Sequence, residues 1–228
     1  MDKNKLLVLN TLVQNIESIE GRVKYLESLG KMYFDLTKSD SFFIDKRDYN
    51  IYSVIKIGAQ TWLGENLRYK GVESNFNPNH FNLNHGRFYY WEDALTACPK
   101  GWELPSETDW QILERYIGIS QEDIEKRGAD RKNDKATLLK SKFGWSKDKN
   151  GSDLYNFSAL ATGDYNFHSQ TFHAIGELTH FWSSTQEDIN DEVWIRALYF
   201  TSNSFDRGTY PPDWDMTFSC RCIKKLNK

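Results

Sequence analysis

Apolar residues recur every three or four positions near the start of the chain, which is the spacing of one face of an α-helix. Charged residues such as Glu17 and Lys24 fall on the other face. The pattern predicts a long amphipathic helix over residues 3–36, with one departure from a seven-residue repeat between Ile16 and Ile19. Its apolar stripe must be buried, either on the chain's own domain or in a coiled-coil homo-oligomer such as a trimer.

Beyond a polar break at residues 37–40, the pattern changes to shorter elements. Ser106 followed by Asp109 is typical of a capped helix start, and Trp110, Leu113 and Ile117 supply an apolar stripe for that helix. Alternating or apolar runs predict strands, at residues 51–57, 155–160, 181–184, 193–200 and 216–223. Helices that precede most of the strands indicate the α+β class. We therefore expect an N-terminal helix at residues 1–40 and a folded domain at residues 50–226.

Composition narrows the classes of function. With 228 residues, 39% of them hydrophobic, the chain can build one or two domains with a core. Its formal net charge of -3 supplies no basic excess for nucleic acid. No run approaches the roughly 20 apolar residues of a membrane span. The start of the chain does not resemble a signal peptide, which leaves the compartment open.

Motifs of catalysis and cofactor binding are missing from the sequence. It contains no glycine-rich phosphate loop, no His-Glu-x-x-His and no nucleophile elbow, so we expect no enzyme and no cofactor. Cys98, Cys220 and Cys222 form too small a ligand set for zinc, and we expect no metal. A disulfide from Cys98 to either of the other two would close a loop worth about 4–5 kcal/mol, whereas in a reducing compartment all three would be thiols.

Several strings resemble one protein family, the Fibrobacter succinogenes major paralogous domain. They occur in order between residues 51 and 225: IGAQTWLGENL from residue 57, YYW from 89, ACPKGWELP from 97, FGW from 143, NGSD from 150, FSAL from 157, FWSST from 181 and FSCRCI from 218. The resemblance implies a C-type-lectin-like fold with two small sheets, two helices and long loops. It also implies a disulfide between Cys98 and Cys222, although Cys220 stands where the family more often has a small or aliphatic residue.

The same resemblance suggests where a ligand would bind. C-type-lectin-like folds use loops and strands of the C-terminal half, here residues 186–214, which are rich in side chains suited to recognition. The candidate ligand-binding residues are Trp194, Arg196, Asn203, Phe205, Arg207, Tyr210 and Trp214. On a strand over residues 192–200, Trp194, Arg196 and Leu198 share one face. The opposite face is more apolar, so we expect Trp194 and Arg196 to be exposed.

Together these features predict a non-enzymatic, adhesin-like binding module for a protein or glycan ligand. Residues 3–36 would assemble the module into a multivalent homo-oligomer. One alternative is a cytosolic protein-interaction domain, favoured by the lack of a recognisable signal and the odd number of thiols. The other is an oxidoreductase like the formylglycine-generating enzymes, which are related to this family and hold copper with a cysteine pair.

Overall fold

A computed structural model describes residues 40–75 and 85–225 of the chain. The chain divides into two compact units, Met1–Phe43 and Ile44–Lys228. The helix predicted over residues 3–36 lies outside the described residues and stays a prediction. A short strand, β1 (Phe42–Ile44), crosses the division. Within the described ranges, no helix is long and apolar enough to cross a membrane.

The second unit has a strand-rich α+β architecture. Its strands are β2 (Ile51–Ile57), β3 (Gln60–Leu63), β4 (Ser74–Asn75), β5 (Phe88–Tyr89), β6 (Trp102–Glu103), β7 (Asp164–Asn166), β8 (Thr171–His173), β9 (Leu178–Gln186), β10 (Val193–Tyr199), β11 (Asp206–Tyr210), β12 (Met216–Ser219) and β13 (Ile223–Lys224). Its described helices are α1 (Trp91–Ala97), α2 (Glu107–Tyr116), α3 (Gln121–Glu125) and α4 (Ala136–Leu139), with 3-10 turns at Gly128–Asp130 and Ser146–Asp148.

Two sheets organise this unit. In the first sheet, the strands that lie wholly in the unit follow the order β2-β3-β13-β6 and pair antiparallel. The second follows β11-β10-β9-β12-β5-β4, with β7 on β12 and β8 on β7. Strands β9 and β12 are parallel, whereas β10 pairs antiparallel with both of its neighbours. β10 is therefore a central strand, shielded along both edges.

Helix α2 begins and packs as the sequence predicts. The Ser106 hydroxyl accepts a hydrogen bond from the Asp109 backbone N–H at 3.2 Å, and the Ser106 backbone N–H donates to the Asp109 carboxylate at 2.8 Å. This reciprocal cap satisfies two backbone donors at the helix start. Trp110 and Leu113 are fully buried and Ile117 is nearly so, in a core shared with Phe157 and Phe181.

The strand predicted over residues 155–160 is wrong, because the backbone there turns. Asn156 and Ser158 have φ values of 55° and 50°, in the left-handed region that extended strands do not use. The turn is held by the buried Asp153 carboxylate, which accepts from the Ser158 backbone N–H at 2.7 Å and from its hydroxyl at 2.6 Å. Phe157 still reaches the core, which explains the apolar pattern of the segment.

The predicted strand over residues 216–223 is interrupted. It separates into β12 and β13, one in each sheet, with residues 220–222 between them. Arg221 is buried in this link and donates to the Phe157 carbonyl at 2.5 Å and to the Asn66 side-chain oxygen at 2.7 Å. The link thus holds the loops that carry Phe157 and Asn66 at the point where the chain passes from one sheet to the other.

Candidate functional site

The structure separates the predicted ligand-binding residues by burial. Four are buried, with the exposed fraction of each residue in parentheses: Trp194 (7%), Arg196 (0%), Phe205 (0%) and Arg207 (8%). Asn203 is exposed, Tyr210 is half-buried, and Trp214 is 58% exposed. The expectation that Trp194 and Arg196 are exposed is therefore wrong. Of the aromatic residues in this set, only Tyr210 and Trp214 reach the surface.

Trp194 is covered by arginine side chains. The guanidinium carbons of Arg207 and Arg127 lie 3.6 Å and 4.2 Å from the centre of a Trp194 ring. Each arginine is also paired with a carboxylate, Arg207 with Glu107 at 2.7 Å and Arg127 with the nearly buried Glu187. A guanidinium stacks well on an aromatic face, so these arginines shield Trp194 from solvent.

Arg196 lies at the centre of a buried ion-pair network. Its Nη1 and Nη2 donate to the Glu107 carboxylate at 2.8 Å and 3.0 Å, and its Nε donates to Glu114 at 2.5 Å. Glu114 also pairs with the buried Arg131 at 2.6 Å. Both glutamates belong to α2, so the face of β10 that carries Arg196 lies against this helix. We call Arg196, Glu107, Glu114, Arg131 and Arg207 the buried ion-pair network.

The charges in this network support each other. Burial opposes ionisation of Glu107, but Arg196 and then Arg207 outweigh it, so the pKa of Glu107 is lowered. The network contains three positively charged arginines and two negatively charged glutamates. Asp206 lies nearby; burial raises the pKa of its carboxyl, and the field of Arg131 opposes that rise. Each of the five side chains of the network faces at least one opposite charge, as buried charges require, but one net positive charge remains. Glu114 Oε2 and the Nε and Nη2 of Arg131 have no hydrogen-bond partner among the described residues.

Phe205 belongs to the core and not to a contact surface. It is fully buried and its ring centre lies 6.1 Å from that of Trp110. Its backbone N–H donates to the Asn133 side-chain oxygen at 3.0 Å. Removing this ring would leave a cavity in the core beside α2, and the buried side chain is not accessible to a ligand.

A ladder of aromatic rings leads from the interior to the surface at the other face of the second sheet. Trp182 and Phe218, both buried, have ring centres 4.4 Å apart. Phe218 contacts Tyr210 at 5.0 Å, and Tyr210 contacts Trp214 at 5.5 Å with an angle of 83° between the rings. The exposed Trp214 ring is thus braced by rings that are themselves fixed in the core.

A second aromatic pair lies beside this ladder. The half-buried Tyr90 and the exposed Phe167 have ring centres 5.4 Å apart. The Phe167 backbone N–H donates to the Asp215 carbonyl at 2.7 Å, which places Phe167 next to the segment that carries Trp214. We define the aromatic surface as Tyr90, Phe167, Tyr210, Trp214 and Asp215.

Asp215 gives the aromatic surface a negative charge. Burial, followed by the field of Asp215, raises the pKa of Tyr90. The pKa of Tyr210 is also raised, by burial and then by Asp164 and Asp215. The carboxylate of the exposed Asp215 therefore acts on one tyrosine of each aromatic pair. Among the described residues, no Lys or Arg forms an ion pair with Asp215.

A polar chain runs beneath the ladder. The His180 Nδ1 lies 2.9 Å from the Asp164 carboxylate, and its Nε2 lies 3.2 Å from the Tyr199 hydroxyl. The His180 ring also packs on Phe218 at 4.8 Å. Asp164 and His180 are mostly buried, with side chains 8% and 12% exposed. These two contacts hold the imidazole of His180 in one orientation against the Phe218 ring.

The cysteines form a compact sulfur group. Cys98 and Cys222 are joined by a disulfide, with Cα atoms 5.9 Å apart, and this is the pair implied by the family resemblance. Cys220 is a buried thiol whose Sγ lies 3.8 Å from the Cys98 Sγ, and burial raises its pKa to about 12. All three sulfurs lie within 4.8 Å of one another, so after reduction they could offer three ligands to a soft metal ion. With the disulfide formed, only one thiol remains.

Sequence reasoning missed three of the five residues of the aromatic surface, including two of its four aromatic rings. Tyr90 and Phe167 precede residues 186–214, and only the pairing of β7 with β12 brings Phe167 to Asp215. Tyr90 lies inside the YYW string, which sequence analysis used only for the family resemblance. No local signal marks either residue as exposed, because their position depends on contacts between distant segments.

Comparison with known proteins supports the family assignment. The family model of the Fibrobacter succinogenes major domain matches residues 55–224, about three quarters of the chain. No curated protein and no solved structure gives a significant match. The matched residues include the strands from β3 to β13, helix α2 and the disulfide. The chain therefore belongs to the Fibrobacter succinogenes major domain family.

Proposed function

We propose that this protein is a non-enzymatic, adhesin-like binding module with a C-type-lectin-like fold, and that its ligand contacts the aromatic surface. The strand-rich α+β architecture supports this fold, with two sheets, two longer helices α1 and α2, and irregular segments in the C-terminal half. Of the residues predicted to bind a ligand, Tyr210 and Trp214 remain in the proposed site, and Asn203 stays available at the surface.

The observation that carries the proposal is the exposure of Trp214. Large aromatic side chains are normally covered, and a braced, exposed tryptophan loses little conformational freedom when it binds. Trp214 is more than half exposed, while Tyr210 holds it and buried rings hold Tyr210. Rigid aromatic anchors of this kind dominate the energy of many interfaces.

Multivalent presentation is part of the proposal. The apolar stripe of residues 3–36 favours assembly of several copies, and several weak contacts then combine into a much higher avidity. Light scattering of the full chain tests this part. A mass that is a multiple of 26.7 kDa supports the assembly, and a single-chain mass removes it.

The proposed contact surface is tested by presenting the full chain, biotinylated on streptavidin, to glycan and protein arrays. We compare the natural protein with Trp214→Ala and with a matched control, Leu154→Ala, which removes another exposed apolar side chain outside the aromatic surface. Binding should fall about tenfold or more in Trp214→Ala, as expected for loss of a hot-spot ring, and persist in Leu154→Ala. Equal loss in both variants, or in neither, contradicts the proposal.

A further inference from the structure

The described part of the chain repeatedly uses one arrangement, in which an arginine lies over an aromatic ring and pairs with a carboxylate. Arg47 lies 3.6 Å from the centre of the Tyr69 ring and pairs with Asp45 at 2.7 Å. Arg68 lies 4.4 Å from the Tyr52 ring and pairs with Glu65 at 2.6 Å.

The same arrangement occurs twice more, on the Trp194 ring. Arg207 stacks on it at 3.6 Å and pairs with Glu107, and Arg127 stacks on it at 4.2 Å and pairs with Glu187. A guanidinium suits this arrangement because it is planar, weakly hydrated and able to bond a carboxylate through two N–H groups.

The aromatic surface has two of these three parts. It offers the exposed ring of Trp214, the half-buried ring of Tyr210 and the exposed side chain of Asp215. Within residues 40–75 and 85–225, no Lys or Arg is stacked on either ring and none is paired with Asp215. The exposed Asp213 adds a second negative charge next to Trp214. The cation is therefore the missing part.

We propose that the aromatic surface binds an arginine side chain of a protein partner, stacked on Trp214 and paired with Asp215. This inference rests on the proposed function, because it names the ligand of the same surface. The occupant is chosen by charge complementarity between a negative aromatic surface and a cation. A neutral sugar could stack on Trp214 and donate a hydroxyl to Asp215, but only a cation adds the attraction between opposite charges.

The test uses the full chain with 15N-labelled tryptophan and a capped Gly-Ser-Arg-Ser-Gly peptide. Two matched peptides carry lysine or neutral citrulline in place of arginine. The Trp214 indole N–H signal, assigned by its loss in Trp214→Phe, should shift in a saturable way with the arginine peptide. It should shift less with lysine and very little with citrulline. Asp215→Asn should weaken binding of the arginine peptide by about tenfold, more than Asp213→Asn does.

Each contrary outcome has a separate meaning. If citrulline binds as well as arginine, or if Asp215→Asn changes nothing, the surface does not recognise a cation and this inference is overturned. If no peptide shifts the Trp214 signal while binding on the arrays still depends on Trp214, the inference again fails and the proposed function stands. If array binding is also independent of Trp214, the proposed function fails with it.

Discussion

Replacing Cys98 with serine is expected to lower the free energy of unfolding by about 4–5 kcal/mol, as judged from the loop that its disulfide closes. Cys98 and Cys222 are 124 residues apart in sequence. Without the covalent link the unfolded chain gains conformational entropy, whereas the folded chain keeps its other contacts. Urea unfolding of oxidised natural protein and of Cys98→Ser measures the difference.

Replacing Cys222 with serine should lower the free energy of unfolding much less than Cys98→Ser does, because the sulfur of Cys220 also lies close to Cys98. The Cys220 and Cys98 Sγ atoms are 3.8 Å apart, and a bridge between them would close a loop of nearly the same length. With glutathione disulfide as oxidant, the two thiols lose two electrons and two protons while the oxidant becomes two glutathione thiols. We expect Cys222→Ser to recover most of its stability after this oxidation.

The control for this pair is Cys220→Ser, which should keep the natural disulfide and lose little stability. Peptide mapping by mass spectrometry identifies the bridge in each variant. A Cys222→Ser protein that contains two free thiols after oxidation, and is as unstable as Cys98→Ser, would contradict the proximity of the three sulfurs.

Replacing Glu114 with glutamine is expected to destabilise the protein by about 3–5 kcal/mol, the usual cost of breaking a buried ion pair. Glu114 is fully buried and bonds both Arg196 and Arg131. The amide has nearly the same shape but no charge, so both guanidiniums would remain buried with too little negative charge. Their desolvation cost is then no longer offset.

An exposed ion pair provides the matched control. Glu122 of α3 pairs at 2.6 Å with Lys126, the residue that follows the helix, and the Glu122 side chain is 80% exposed. Solvent screens such a pair, so Glu122→Gln should have no measurable effect on the urea midpoint. If Glu114→Gln and Glu122→Gln unfold at the same midpoint, then the buried ion-pair network does not support the fold.

Local rules predicted several elements correctly. The capping pattern of Ser106 and Asp109 and the apolar stripe of α2 depend on neighbours in sequence, and the structure contains both. The strand over residues 193–200 was also identified, as β10. The prediction that the Arg196 face of β10 is exposed was wrong, because it was based on the expectation that charged side chains face water. Here Arg196 meets two glutamates of α2 and is buried with them.

The contact surface could not be predicted for a related reason. Sequence analysis treated Trp194 and Trp214 alike, as candidate ligand-binding residues of the same segment, residues 186–214. They differ because Arg127 and Arg207 cover Trp194, while among the described residues Trp214 has a ring contact with Tyr210 alone. Arg127 comes from the segment after α3, far from Trp194 in sequence. The contact between Arg127 and Trp194 therefore cannot be predicted from composition or periodicity.

We propose that Trp214, and not Trp194, contacts the ligand. Hydroxyl-radical footprinting of the full chain, read by mass spectrometry, tests this claim directly because it needs no ligand. Trp214 and Phe167 should be oxidised rapidly, and Trp194 should be protected to the same degree as the buried Trp182. Oxidation of Trp194 as fast as that of Trp214 would show that the arginines do not cover it, and would contradict both the buried ion-pair network and the location of the aromatic surface.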